Sequence, residues 1–115
     1  MQTSNPLISI ITPAYNSDRF IRQTMDSVLA QTYENWEMII VDDHSTDKTV
    51  EYVKDYQKRD PRIKLFQLNK NSGSAVARNT AMRNAKGRYI AFLDSDDMWY
   101  PEKLEVQMDV LGKVP

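Results

Sequence analysis

The residues best able to do chemistry in this chain are acids gathered at two places. Asp94-Ser95-Asp96-Asp97 closes one apolar run, and Asp42-Asp43 closes another. Carboxylates crowded into one crevice repel each other unless a cation is present, and a hard divalent ion takes oxygen ligands. In an extended segment Asp94 and Asp96 share a face. Such a pair could hold Mg²⁺ or Mn²⁺, with phosphate oxygens filling the remaining positions. The competing reading is that these acids cap a helix or solvate a turn, and for Asp97 the two readings stand level. Asp42 and Asp43 could turn the chain, or accept from a base N–H or a ribose hydroxyl. Asp47 is better placed to serve a helix N-terminus. Tyr15 could stack on a base or pack within its loop. Arg78, in Gly73-Ser74-Ala75-Val76-Ala77-Arg78-Asn79, could reach a phosphate or the acidic cluster, or sit in a surface pair. His44 reads as a turn residue. Trp36 and Trp99 read as packing groups, although Trp99 follows the acidic cluster closely enough to line a pocket there.

These residues need elements to position them. Leu7–Thr12 and Trp36–Val41 are short, apolar and β-branched-rich, as buried strands are. Ile63–Leu68 alternates like a half-exposed strand, and Arg88–Leu93 is a fourth strand ending at the acids. Between them lie helical patterns. From Asp18, a candidate cap, to Gln31, the residues Ile21, Met25, Val28 and Leu29 fall on one face. From Asp47 to Lys58, Val50, Val53 and Gln57 share a face, with Ser45 or Thr46 as cap. Ser74 to Ala85 is Ala-rich, and Gly87 is a candidate stop. After Pro101, Leu104, Met108 and Leu111 give a last face.

The order βαβαβαβα predicts an α/β fold, a Rossmann-like, mostly parallel sheet flanked by helices. Strand order 3-2-1-4 is expected. The ends of strands 1, 2 and 4 then meet at one edge, where open parallel sheets bind ligands. Those ends are Thr12-Pro13-Ala14-Tyr15-Asn16, Asp42 to Asp47, and Asp94 to Asp97.

Composition excludes several classes. The 115 residues are one domain or part of one. With 41% hydrophobic and 27% charged residues, disorder throughout is excluded. Lys and Arg number 15 against 16 Asp and Glu. No global basic field exists to hold nucleic acid or an anionic membrane. Zero Cys and a single His exclude a disulfide scaffold, a thiolate metal site and a multi-His zinc site. No run approaches the roughly 20 apolar residues of a membrane helix. Met1 to Pro6 lacks the features of a signal peptide, so the expected compartment is the cytoplasm. No GxGxxG follows the first strand and no Walker A motif exists, so phosphate charge must be met by metal and Arg. The basic stretch from Lys54 to Lys70 reads as a solvated face.

Five segments carry a resemblance. They are Ile10-Ile11-Thr12-Pro13-Ala14-Tyr15-Asn16, Ser27-Val28-Leu29-Ala30-Gln31-Thr32-Tyr33, Ile39 through Asp47, Asn71-Ser72-Gly73 through Ala77-Arg78-Asn79, and Ala91-Phe92-Leu93-Asp94-Ser95-Asp96-Asp97. In this order they resemble the N-terminal half of glycosyltransferase family 2, inverting enzymes with the GT-A fold. The resemblance implies that residues 1–115 supply the nucleotide-sugar-binding part. It implies that Pro13, Tyr15 and Asp43 hold the base, usually uracil, with guanine or thymine left open. Asp42 and Asn16 adjoin that group. It places Arg78 near the nucleotide, Asp94 at the ribose or behind the metal, and Asp96, in the DxD position, on the metal. The cofactor implied is Mn²⁺ or Mg²⁺. The implied partners are a nucleotide-sugar donor and a saccharide or lipid-linked acceptor, at the inner face of the membrane in the full-length protein.

Two departures stand out. His44 replaces a common Gly in a turn that His can tolerate, and Ala81 replaces a small Gly. The family's general base lies in a C-terminal half, so no catalytic residue is assigned before Pro115. Association of the chain with itself is expected through apolar faces that such a half would cover. Two other classes share parts of the pattern. A receiver-like phospho-acceptor domain has an acidic pair after its first strand, whereas here the pair follows the second. A sugar nucleotidyltransferase opens with a Gly-rich, basic loop, which Pro13 to Asp18 is not.

Overall fold

The computed structural model describes residues 5–111. Four strands, β1 (Ile8–Ala14), β2 (Trp36–Asp42), β3 (Ile63–Gln67) and β4 (Tyr89–Phe92), form one sheet in the order β3-β2-β1-β4. All three pairings are parallel, with Ala14 opposite Asp42 and Ile11 opposite both Ile39 and Phe92. The helices are α1 (Ile21–Leu29), α2 (Thr49–Arg59), α3 (Ser74–Arg83) and α4 (Lys103–Leu111). The expected fold class, element order and strand order are all present.

The period of two along a strand sends neighbours to opposite faces. Ile8, Ile10, Ala14, Met38 and Ile40 pack with Ile21, Met25 and Val28 of α1, Val53 and Tyr56 of α2, and Leu104 of α4. The alternate residues Ile11, Ile39 and Val41 pack with Ala77 and Ala81 of α3. The central strands β1 and β2 are therefore apolar almost throughout, as strands covered on both faces must be. β4 is an edge strand and leaves Ile90 and Phe92 exposed.

Some element ends differ from expectation, because side chains expected to cap helices are engaged elsewhere. α1 starts at Ile21 with no side-chain cap. Asp18 instead accepts from the Lys48 amide, and its own amide donates to Asp47 Oδ2. α2 starts at Thr49, also without a side-chain cap from Ser45 or Thr46. Asp47 Oδ1 does accept from the Thr49 amide, 2.9 Å, and from its hydroxyl, so it serves that terminus as expected. α3 ends at Arg83, before the expected Ala85. Gly87 is not its stop. A Cβ there would lie 2.5 Å from Ser9 Oγ and 2.6 Å from Ser9 N, so only glycine lets this turn lie against β1. On α4, Leu104 is buried but Leu111 is exposed, against expectation.

At the amino end of the sheet a buried acid joins four segments. Glu37 on β2, 3% exposed, accepts from Ser9 Oγ (2.6 Å), the Lys86 amide (2.7 Å) and Lys64 Nζ (2.8 Å). Burial pushes its carboxyl up, but these donors and the Lys64 charge together outweigh burial and hold it below the usual range. This knot fixes the base of the sheet, leaving the opposite edge to carry the site.

Candidate functional site

At the carboxyl ends of β1, β2 and β4 the loops enclose a cleft of about 690 Å³. It lies where the order turns from β1 outward to β2 on one side and β4 on the other. Pro13, Tyr15, Asn16, Asp43, Arg78, Asp94 and Asp96 all line it. Asp42 does not. It is 2% exposed, and its carboxylate accepts from the Ser45 amide (2.9 Å) and the Ser45 hydroxyl (2.5 Å). Asp42 therefore closes the turn after β2, the structural alternative considered for it.

Asp43 faces the cleft but is also engaged. Its carboxylate accepts from the amides of Ser72 (2.6 Å) and Gly73 (2.9 Å). Gly73 has φ +97, a conformation that glycine adopts without a side-chain clash. Asp43 thus folds the segment ahead of α3 onto the cleft wall. An ionised carboxylate has about four acceptor sites, so capacity remains for a ligand donor. Asn16 adopts φ +47, its amide donates to Ser45 Oγ, and its Oδ1 accepts from the Thr46 amide. It ties the β1–α1 loop to the β2–α2 loop. His44 has φ +65, so the turn survives the departure from glycine.

Tyr15 is half exposed, at 48%, and offers its ring to the cleft. Arg78 is half-buried on the first turns of α3 and makes no ion pair or side-chain hydrogen bond among the described residues. An unpaired guanidinium on a cleft wall is suited to a phosphate.

Asp94 and Asp96 do not sit on an extended segment. Asp97 N donates to the Asp94 carbonyl at 3.1 Å, so residues 94–97 form a tight turn. The chain must reverse here to reach Trp99 and α4, which overrides the strand-like continuation. Both carboxylates are exposed and neither hydrogen-bonds to any described residue. The Asp97 carboxylate accepts from the Met98 amide, serving its own turn. Trp99 packs against the apolar core and does not line the cleft, and Trp36 is likewise a core residue, 2% exposed.

Among the described residues no group of three or more His, Cys, Asp or Glu side chains converges as a complete metal cage. The donor set present is two exposed carboxylates beside an open cleft. That suits Mg²⁺ or Mn²⁺, which are commonly held by one or two carboxylates plus substrate phosphates and water. The residues fit such an ion.

Ser17 and Phe20 also line the cleft without having been anticipated. Ser17 Oγ lies 2.6 Å from Ser95 Oγ and 3.1 Å from the Tyr15 carbonyl. A serine in a polar loop carries no signal of this kind, because its partner lies 78 residues away in sequence.

The chain belongs to glycosyl transferase family 2, whose sequence model matches residues 9–114. It is 52% identical over 111 residues to the putative teichuronic acid biosynthesis glycosyltransferase TuaG of Bacillus subtilis (strain 168), covering 96% of this chain and 44% of that protein. It is 49% identical over 107 residues to an Escherichia coli protein, UDP-Glc:alpha-D-GlcNAc-diphosphoundecaprenol beta-1,3-glucosyltransferase WfgD, covering 93% of this chain and 42% of that one. The structure matches S. aureus TarS (residues 1–349, in complex with UDP) with a TM-score of 0.87 at 34% identity, covering 92% of this chain and 32% of that one. A further TarS structure holds UDP-GlcNAc. The fold is thus that of these glycosyltransferases, and the chain spans less than half the length of each relative. No helix among the described residues is long and apolar enough to cross a membrane.

Proposed function

We propose that this chain forms the donor-binding part of a glycosyltransferase that moves a sugar from a nucleoside-diphosphate sugar, UDP-linked in the first instance, to an acceptor hydroxyl. The observation that carries this reading is one cleft lined together by Tyr15, Asp43, Arg78, Asp94 and Asp96. Pro13 and Tyr15 form the wall against which a base stacks. Asp43 accepts from the base while its other lone pairs hold the Ser72–Gly73 amides. Arg78 offsets diphosphate charge. Asp94 and Asp96 hold the divalent ion, with Asp94 also within the ribose side of the cleft. When bound, that ion supplies charge neutralisation for the departing diphosphate.

In the full-length protein the acceptor oxygen attacks the anomeric carbon opposite the leaving diphosphate. One C–O bond forms as the bond to the phosphate oxygen breaks, and the configuration inverts. The acceptor proton passes to a base outside this chain. The acceptor is a saccharide or a lipid-linked saccharide, met at the cytoplasmic face of a membrane. WfgD, whose name gives such a diphosphoundecaprenol acceptor, supports this reading.

Calorimetric titration of UDP with and without Mn²⁺ tests the proposal. Mn²⁺ should tighten binding in the native sequence. Asp96→Ala should remove that gain, weakening metal-linked binding on the order of 100-fold, the upper end of what losing the partner behind a ligand costs. Binding that ignores Mn²⁺, or survives Asp96→Ala, overturns the metal assignment. A folded protein that binds none of UDP, GDP and dTDP overturns the donor reading.

A further inference from the structure

The turn bearing Asp94 and Asp96 is held largely by side chains that reach it from outside. We infer that Thr24, on α1, is a positioning residue for the metal-binding carboxylates. The inference rests on the metal role proposed for Asp94 and Asp96.

Thr24 is fully buried, at 0% exposure, and lies outside the cleft lining. Its Oγ1 stands 2.7 Å from the Asp97 carbonyl and 3.0 Å from the Ser95 carbonyl. A threonine within a helix ordinarily turns its hydroxyl to the carbonyl four residues back. Here that acceptor, Phe20 O, is the most distant of the three at 3.3 Å. The single hydroxyl proton is therefore directed at the turn.

The two carbonyls belong to the residues on either side of Asp96. Fixing both sets the backbone from which the Asp96 side chain projects. The turn otherwise has the one backbone bond from Asp97 N to Asp94 O, the Asp97 side chain on Met98 N, and the Ser95–Ser17 hydroxyl pair. Few bonds of the turn's own hold these exposed carboxylates in place. A buried anchor beneath the turn lowers the ordering that a metal ion must otherwise impose, and so raises affinity for the ion. Thr24 acts through the backbone of its neighbours and touches neither metal nor nucleotide.

The test compares the native protein with Thr24→Val and Thr24→Ser. Val keeps the shape and removes the hydroxyl, whereas Ser keeps the hydroxyl. Mn²⁺ affinity in the presence of UDP is read from the free-ion electron paramagnetic resonance signal. Thr24→Val should weaken it roughly 10- to 100-fold, and Thr24→Ser should restore it. UDP affinity without metal should be the same in all three. Amide exchange at Asp97, measured without ligand, should quicken in Thr24→Val and not in Thr24→Ser. Should Thr24→Val fail to fold, Thr24→Ala carries the same test without setting a second methyl against the carbonyls.

Unchanged Mn²⁺ affinity in a folded hydroxyl-less variant overturns the inference, whatever exchange shows. Equal losses in the Val and Ser variants overturn it too, because a loss that occurs whether or not the hydroxyl is kept does not come from the hydroxyl. If the native protein shows no Mn²⁺-linked UDP binding, the metal assignment of Asp94 and Asp96 itself has failed and the metal role of Thr24 falls with it. The exchange arm then still reports whether the hydroxyl holds the turn.

Discussion

At the β2 end of the cleft, Asp42 and Asp43 are 2% and 4% exposed, and each carboxylate accepts from the protein's own donors, Asp42 from the Ser45 amide and hydroxyl and Asp43 from the Ser72 and Gly73 amides, with capacity left at Asp43 for a ligand. At the β4 end, Asp94 and Asp96 are exposed and hydrogen-bond to nothing among the described residues. The residue type is the same, and so is the position at the carboxyl end of a parallel strand. The difference lies in who supplies the donors. The first pair shapes the cleft by folding the loops after β2 and before α3. The carboxylates of the second pair make no hydrogen bond or ion pair among the described residues and stand open at the cleft. Acids at strand ends thus divide into those bonded within the fold and those left open at the cleft; under the proposed function the open pair meets the metal, while Asp43 both shapes the wall and accepts from the base.

The sharpest way to break this comparison is to truncate one acid from each pair. Asp43→Ala strands two backbone amides and should lower unfolding free energy by about 1–3 kcal/mol in urea denaturation. It should also weaken UDP binding with or without metal, because residues 72–73 no longer close the wall. Asp96→Ala should change stability by less than about 0.5 kcal/mol, of either sign, while removing only the metal-linked part of UDP binding. If Asp96→Ala proves the more destabilising of the two, the division drawn between the pairs is wrong.

The next test carries the comparison to the other end of the sheet. Glu37, like Asp43, is a buried acid satisfied by the protein, through Lys64, Ser9 and the Lys86 amide. Its carboxyl is held below the ordinary range. A group whose folded value is depressed contributes stability that is present above its unfolded value, near 4.3. That stability is lost as pH falls through the folded value. Asp47, where burial is outweighed by the Thr49 and Asp18 hydrogen bonds, adds to the same acid limb. Urea midpoints measured from pH 7 down to pH 3 should fall on acidification. Glu37→Gln should start lower at pH 7 and show a shallower fall. An equally steep fall in Glu37→Gln removes Glu37 from the set of acids that build the fold.

Much of this arrangement could be read from the sequence, and the rest could not for definite reasons. Apolar runs such as Ile8 to Ile11 and Met38 to Val41 declare strands covered on both faces, and their alternation with helical patterns fixes a parallel sheet. The 3-2-1-4 order then brings the ends of β1, β2 and β4 together, which is why nearly every expected site residue lines one cleft. Local hydrogen bonding was the weak point. Asp18 has the form of a helix cap, yet its carboxylate goes to Lys48, 30 residues on. Asp42 resembles its neighbour Asp43 in sequence, and only the turn at Ser45 decides that it points away from the cleft. Gly87 resembles a helix stop, but the constraint on it comes from Ser9 across the sheet. Thr24, Ser17 and Glu37 gave no signal, since each acts through partners distant in the chain. Periodicity reports which face of an element is buried. It does not report which polar group finds which partner.

The smallest effects concern the two residues that bend the loops of the cleft through left-handed backbone, His44 at φ +65 and Asn16 at φ +47. They extend the same distinction to residues without charge. Asn16 holds its conformation with a side-chain bond, its Oδ1 accepting from the Thr46 amide at 2.9 Å. His44 is exposed, and its side chain has no hydrogen-bond partner among the described residues. Left-handed backbone disfavours a side chain by roughly 1–2 kcal/mol, while glycine costs about 0.5–1 kcal/mol in added freedom of the unfolded chain. For His44→Gly the difference leaves a gain of about 0–1.5 kcal/mol. For Asn16→Gly the gain is smaller, because Asn itself tolerates left-handed backbone, and it is joined by the loss of a bond worth about 1 kcal/mol, so that variant should be the less stable of the two. Paired urea denaturation of the two glycine variants checks the order. If both gain equally, the Asn16–Thr46 bond contributes nothing, and the β1–α1 loop is held to its neighbour by the Ser45, Asp47 and Thr49 side chains and the bond from the Lys48 amide to Asp18.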